Sequence, residues 1–374
     1  MERILKEFST KRFYIEWGGY RSNHLSHGIV ALHRLGASDR RLQDFANFYE
    51  KNTLEKRQEH PEAEVGDGVD VSELLGRKLG YYNILEHFER ELDEVYGGDC
   101  VKMVREEMKK LCLGMAGSAL HGLIHTGYAL LSGSALSVCE GVAYWYMSYL
   151  PLVLNETNLD DIGAGTDDIF DVLKDLKNDG SIFEQMLRDV EAETDEVKKR
   201  GKFTPRMSAL LGYQGDRLVD FAKRVKLPEG GGVDALSAWV VDCAITLYVT
   251  AERQNGFFFL HGATSAWSLR QIILLINDEA ASLVALRVFL CVYTSIQAEH
   301  PHCPIAVKTN RFTASPRVVI TSLHAFGSGL PQINRDDAQE VIAPVYSKKC
   351  KTRKSPCLAE KRWARKHGNL RVWR

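Results

Sequence analysis

Apolar residues recur every three or four positions along most of the chain, and no stretch sustains the two-residue alternation of a half-buried strand. The pattern predicts an all-α architecture. Leu25, Ile29, Leu32 and Leu35 predict a helix capped by Ser22 or Asn23 and stopped at Gly36, and Ser38 can cap a second through Phe45 and Tyr49. A polar loop at 58–70 precedes a segment opened by Ser72 that carries Leu75, Leu79, Tyr82, Leu85 and Phe88 at helical spacing. Helices are predicted next over about 99–131 and 135–150. Three later helices, over about 233–254, 258–276 and 279–298, are rich in Ala, Leu, Val and Ile and should be central. The acidic stretch at 156–200, broken at Gly163, Gly165 and Gly180, reads as an insertion of short amphipathic helices, and the run from Pro228 to Gly232 reads as a linker.

Composition narrows the class. The 374 residues are 45% hydrophobic, enough for one large multi-helix domain, which we assign to residues 1–346. Net charge is -1, yet residues 348–374 hold 11 Lys/Arg against one acid. A segment so charged and so poor in apolar residues cannot bury enough surface to order itself, so 347–374 is expected to be a disordered basic tail. It carries no folded recognition motif, and no specific nucleic-acid partner is expected. The eight cysteines form no Cys-x-x-Cys pair and are read as reduced and mostly buried. The start lacks the apolar region of a secretory signal, which makes a cytoplasmic setting the expectation. The apolar run at 141–154 is interrupted by Pro151 and that at 283–296 contains Arg287, so neither reaches the ~20 residues of a membrane span.

Candidate chemistry gathers on three segments that bring histidine into apolar helical context. They are Ser22-Asn23-His24-Leu25-Ser26-His27, His121-Gly122-Leu123-Ile124-His125 and His261-Gly262-Ala263-Thr264-Ser265. Spacings of three (His24 and His27) and four (His121 and His125) each put two imidazoles on one helix face. A lone pair at such spacing is more often a surface or core feature, but five residues on three helices have the parts of a mononuclear transition-metal site around a histidine-lined central pocket. The expected ligands are His24, His27, His121, His125 and His261, with His24, His121, His125 and His261 also the expected catalytic set. Tyr128, Tyr144 and Trp267 are candidate contacts for an aromatic ring, with ordinary core packing the alternative for each.

Several ordered blocks carry a resemblance. The run Tyr20-Arg21-Ser22-Asn23-His24-Leu25-Ser26-His27 with Ala31-Leu32-His33-Arg34-Leu35-Gly36-Ala37, then Leu75-Gly76, 81–92, 121–130, Glu140-Gly141-Val142-Ala143-Tyr144 with Tyr149-Leu150-Pro151, and His261-Gly262-Ala263-Thr264, resemble the questin oxidase-like family over about residues 20–300. That family includes fungal Baeyer-Villiger-type oxidases of aromatic polyketide pathways. The resemblance implies an oxidoreductase, monooxygenase or dioxygenase-like, that inserts oxygen into or oxidatively cleaves a polycyclic aromatic ketone, with NADPH as reductant. The family's histidines map onto the same five positions. A metal role for them, iron or another transition metal, rests on spacing and helical context rather than on the family name.

Toward its end the chain departs from the family, whose members tend to close with a helix containing a His-x-x-Lys element. The comparable stretch here is Glu340-Val341-Ile342-Ala343 followed by Pro344, with neither the histidine nor the lysine. Two further functions therefore stay open: a catalytically weakened helical protein that binds a hydrophobic ligand, and a metal-dependent hydrolase using the same histidines. The nearest glycine pattern, Gly163-Ala164-Gly165, lacks a third glycine, follows no predicted strand and faces Asp167 and Asp168. A dinucleotide-binding fold is not indicated, and no flavin is expected.

Overall fold

The structure, a computed structural model, describes residues 1–66, 68–194, 203–250 and 256–299. The basic tail, the chain end around Glu340, and the histidines at 300, 302, 324 and 367 lie outside these residues. The described chain is all-α, with fourteen α-helices and one two-stranded sheet. In order the helices are α1 (Glu2–Glu7), α2 (Leu25–Arg34), α3 (Asp39–Asn52), α4 (Tyr81–Glu94), α5 (Cys100–Leu111), α6 (Gly117–Ser132) and α7 (Ala135–Met147). There follow α8 (Ile169–Asn178), α9 (Gly180–Ala192), α10 (Phe203–Tyr213), α11 (Gly215–Lys223), α12 (Gly232–Thr250), α13 (Gly256–Ile276) and α14 (Glu279–Glu299). Strands β1 (Glu16–Trp17) and β2 (Arg21–Ser22) pair antiparallel, with Glu16 opposite Ser22.

Helix α6 is the centre of the molecule. Almost every residue from His121 to Ala129 is buried, as expected of a helix apolar all round. It packs against α7 and α13 on two sides and against α2 on a third. Two glycines set how closely. A Cβ at Gly122 would sit 2.2 Å from the Cα of Trp145 on α7, and one at Gly127 would sit 2.8 Å from the Cα of Ser268 on α13. Any side chain at either position would drive the backbones apart, so these glycines permit the approach that brings histidines of separate helices together.

Ser38 caps α3 by accepting from the Arg41 N–H, as its position suggests. Helix α2 is capped differently: His24 is the N-cap and uses no side-chain bond, while the Asn23 carboxamide oxygen accepts from Leu25 N–H and Ser22 belongs to β2. The helix predicted from Ser72 starts only at Tyr81, because Gly76 and Gly80 take φ of +72° and +65° that an α-helix cannot hold. Leu75 and Leu79 are accordingly exposed. Residues 99–131 are two helices rather than one, joined through a 3₁₀ turn at Cys112–Gly114.

The acidic stretch forms the short amphipathic helices α8 and α9, and their apolar stripes (Ile169, Val172, Leu173 and Leu176; Ile182 and Met186) join the core against α14. Cys112, Cys139, Cys243 and Cys291 are free and buried, and Cys100 is free and half-buried. Two helices are long and apolar enough by length and composition to cross a membrane, over Gly232–Val249 and Glu279–Ile296. Both pack on other helices of the chain, α12 against α13 and α14 against α11.

Candidate functional site

All five histidines singled out from sequence meet beside α6. His24 and His27 come from the start of α2, His121 and His125 from α6, and His261 from α13. They form two layers. In the first, ligand-type nitrogens of His24, His121 and His261 all lie within 4.8 Å of one another, with His24 partly exposed and the other two buried. In the second, His27 and His125 pack ring against ring, centroids 4.0 Å apart. His27 also stacks on Tyr128 at 5.0 Å, and Tyr128 lies 4.8 Å from Trp267.

Hydrogen bonds orient the first layer. The His121 Nδ1 lies 2.5 Å from the Ser118 carbonyl oxygen, which can only accept, so Nδ1 carries the ring proton and Nε2 presents a lone pair. That Nε2 is 2.6 Å from Nε2 of His24, so His24 is the donor between them. The His24 backbone N–H is held in turn by the hydroxyl of buried Tyr49 at 3.0 Å.

The turn that supplies the Ser118 carbonyl has unusual backbone. Ser118, Ala119 and Leu120 have φ of +45°, +56° and +64°, a turn of left-handed helix built without glycine. Each such residue costs roughly 1–2 kcal/mol in Cβ–carbonyl contact. Gly117 precedes it, but none of the three residues is glycine or proline, and Ser-Ala-Leu would serve equally in a right-handed helix.

Electrostatics keep the rings neutral. Burial pushes His24 down to about 3, with the neighbouring His261 adding to the effect. Burial and then His24 push His125 down to about 3, against a hydrogen bond to the Asn23 backbone that opposes it. His121 is held well below the ordinary imidazole value by burial, His24 and His261. Neutral imidazole is the form that ligates metals.

These observations bear on whether a metal fits. The donor set is three imidazoles from three helices, His24 and His121 held neutral by burial and His121 with its second ring nitrogen anchored to a backbone carbonyl, as metal-bound histidines usually are. In addition, the buried Nε2 of His125 has no hydrogen-bond partner among the described residues. The residues present fit a transition-metal ion.

Among the described residues the expected histidine-lined pocket is not seen. The cavity that His125 touches measures about 20 Å³, room for about one water. None of the other four histidines lines it; its walls include Asn23, Ser26, Thr10 and Glu140. Glu140 is buried, accepts from Thr10 N–H at 2.6 Å and Thr10 Oγ1 at 2.8 Å, and is raised to about 7 chiefly by desolvation.

The three aromatic candidates surround the cluster, but all are buried. Tyr144 has its ring edge-on to His125 at 5.2 Å and its hydroxyl bound to Glu16 Oε1 at 2.9 Å and to Ser22 Oγ at 2.5 Å. Its polar end is therefore engaged within the protein. Glu16, Ser118, Tyr49 and Asn23 shape the site and were not legible as site residues, because what they do depends on partners up to 128 positions away.

A questin oxidase-like family model matches residues 21–342, a span that holds all five histidines. No curated protein matches the chain.

Proposed function

We propose that this chain, which belongs to the questin oxidase-like family, is an oxidoreductase that inserts oxygen into, or oxidatively cleaves, a polycyclic aromatic ketone with NADPH as reductant. Family membership supports the oxidase class. The observation that carries the site is the approach of His24, His121 and His261 nitrogens to within 4.8 Å. A transition metal held by these three, iron for preference, would supply the capacity to bind and activate dioxygen, which an all-imidazole set leaves open positions to do.

The chain's own residues do the rest. Burial keeps His24 and His121 neutral, and the Ser118 carbonyl leaves the lone pair of His121 on Nε2, facing the proton on His24 Nε2 that has to leave before both nitrogens can hold one ion. Tyr128, Trp267 and His27 form an apolar aromatic wall that excludes water behind them. His24, the partly exposed member, marks the edge from which a flat substrate would approach. The ~20 Å³ beside His125 is far below the ~300 Å³ or more of a small-molecule site. Substrate therefore enters by displacing side chains at that edge.

Oxygen-dependent oxidation of NADPH by the purified chain, stimulated by an anthraquinone-type ketone and abolished in His121→Ala, tests this reading. Zinc with hydrolytic turnover and no oxygen uptake would contradict it.

A further inference from the structure

Glu16 touches none of the five histidines in a recorded hydrogen bond, yet its partners Ser22, Ser118 and Tyr144 lie beside both layers of the cluster. Its carboxylate is almost fully buried and accepts four hydrogen bonds from three side chains. Lys78 Nζ reaches Oε1 at 2.7 Å and Oε2 at 2.8 Å, the Tyr144 hydroxyl reaches Oε1 at 2.9 Å, and the Ser118 hydroxyl reaches Oε1 at 3.1 Å. Its backbone sits opposite Ser22 in the β1–β2 pair, two residues before His24, and the Ser22 hydroxyl closes the ring of bonds on Tyr144. One carboxylate thus ties the hairpin that leads into His24 to the left-handed turn that leads into His121.

We propose that Glu16 is the positioning residue of the histidine cluster: it holds the turn at 118–120 so that the Ser118 carbonyl fixes His121 with its proton on Nδ1 and its lone pair on Nε2 toward His24. The physical need is plain. A turn of three non-glycine residues at positive φ relaxes unless something outside it holds it. The Ser118 hydroxyl provides a handle, and a carboxylate pinned by Lys78 at the other end is a fixed point for it. A charge-assisted hydrogen bond is roughly twice as strong as a neutral one. A role in stability alone would account for the Lys78 pair; it would not require Ser118, whose carbonyl holds His121, and Tyr144, whose ring lies against His125, to share the same oxygen.

The test uses the full chain, metal-free, with isotopically labelled histidine, reading the protonation of each ring nitrogen by NMR and assigning His121 by its own substitution. In the unaltered chain His121 is expected as a single tautomer protonated on Nδ1. In Glu16→Gln the ring is expected to populate both tautomers, and Co(II), used as the probe ion, to bind roughly 10–100-fold more weakly.

Only the Co(II) arm rests on the metal reading. A chain that binds no Co(II) at all still decides the proposal through the tautomer. Should Glu16→Gln fail to fold, Ser118→Ala removes just the hydroxyl contact to Glu16 and is expected to shift the tautomer in the same direction. A folded Glu16→Gln or Ser118→Ala chain that keeps His121 in the single Nδ1-protonated form overturns the proposal, even if its melting temperature falls.

Discussion

The two layers of the histidine cluster come from neighbouring turns of the same helices, yet they meet in different ways. His24 and His121 approach nitrogen to nitrogen at 2.6 Å, whereas His27 and His125 meet ring against ring at 4.0 Å between centroids. Helical spacing accounts for neither outcome, since it places both pairs on the same faces. The difference lies in what holds each ring from behind. His121 is anchored by a carbonyl offered from a left-handed turn, which aims its Nε2 at the ring of His24, whose backbone N–H is held by Tyr49. His27 lies flat on Tyr128 and His125 edge-on to Tyr144. The first layer has the geometry of a ligand set and the second that of its packing support.

The largest effect expected from this contrast is on metal affinity. His261→Ala, which removes a first-layer nitrogen, should abolish tight Co(II) binding in titration. His27→Leu, which removes a second-layer ring, should weaken it by roughly 10–100-fold, the usual cost of losing a supporting group. Equal losses would erase the distinction between layers.

A second contrast concerns two buried carboxyls near the cluster, Glu16 and Glu140. Glu16 is ion-paired with Lys78, while Glu140, beside the second layer, is raised to about 7 from the ordinary 4.5 by desolvation. The folded chain then retains a proton on Glu140 that the unfolded chain releases between about pH 4.5 and 7. Stability contributed by this group should fall as pH rises through that window and level off above it, by on the order of 3 kcal/mol. Denaturation midpoints across the window should show that slope in the unaltered chain and lose it in Glu140→Gln. An identical slope in both would place the titration elsewhere.

The smallest expected effect has the most unusual sign. Ala119 lies in the left-handed turn and Ala129 in the regular part of α6. Glycine relieves the left-handed contact at the first position but loosens the helix at the second. Ala119→Gly should therefore raise stability by up to about 1 kcal/mol, and Ala129→Gly should lower it by about 1–2 kcal/mol. Thermal melts of the two variants would separate them; a loss in both would mean that residues 118–120 carry no strain.

These contrasts also mark where the sequence is legible. The all-α class follows from spacing, and the bounds of α12, α13 and α14 fall within a few residues of those expected from their apolar runs. The convergence of the five histidines follows from the same logic, because residues on one face of buried helices have few places to go. The left-handed turn inside α6 does not, since Ser118, Ala119 and Leu120 are ordinary helix residues that nonetheless take positive φ. Leu75 and Leu79 kept helical spacing while the glycines beside them set the backbone. Glu16 gave no sign at all: a single acid before Trp17 becomes part of the site only through Lys78, Ser118 and Tyr144.

The claim on which the rest depends is that three histidines from three helices, His24, His121 and His261, hold one ion. Elemental analysis of the purified full chain, after reconstitution with Fe(II) under reducing conditions and removal of excess, tests it most directly. About one equivalent of metal, lost in the His24→Ala, His121→Ala and His261→Ala triple variant at unchanged helical content, is the expected result. A chain that retains no Fe(II), Zn(II) or Co(II), or a triple variant that retains as much as the unaltered chain, would contradict it.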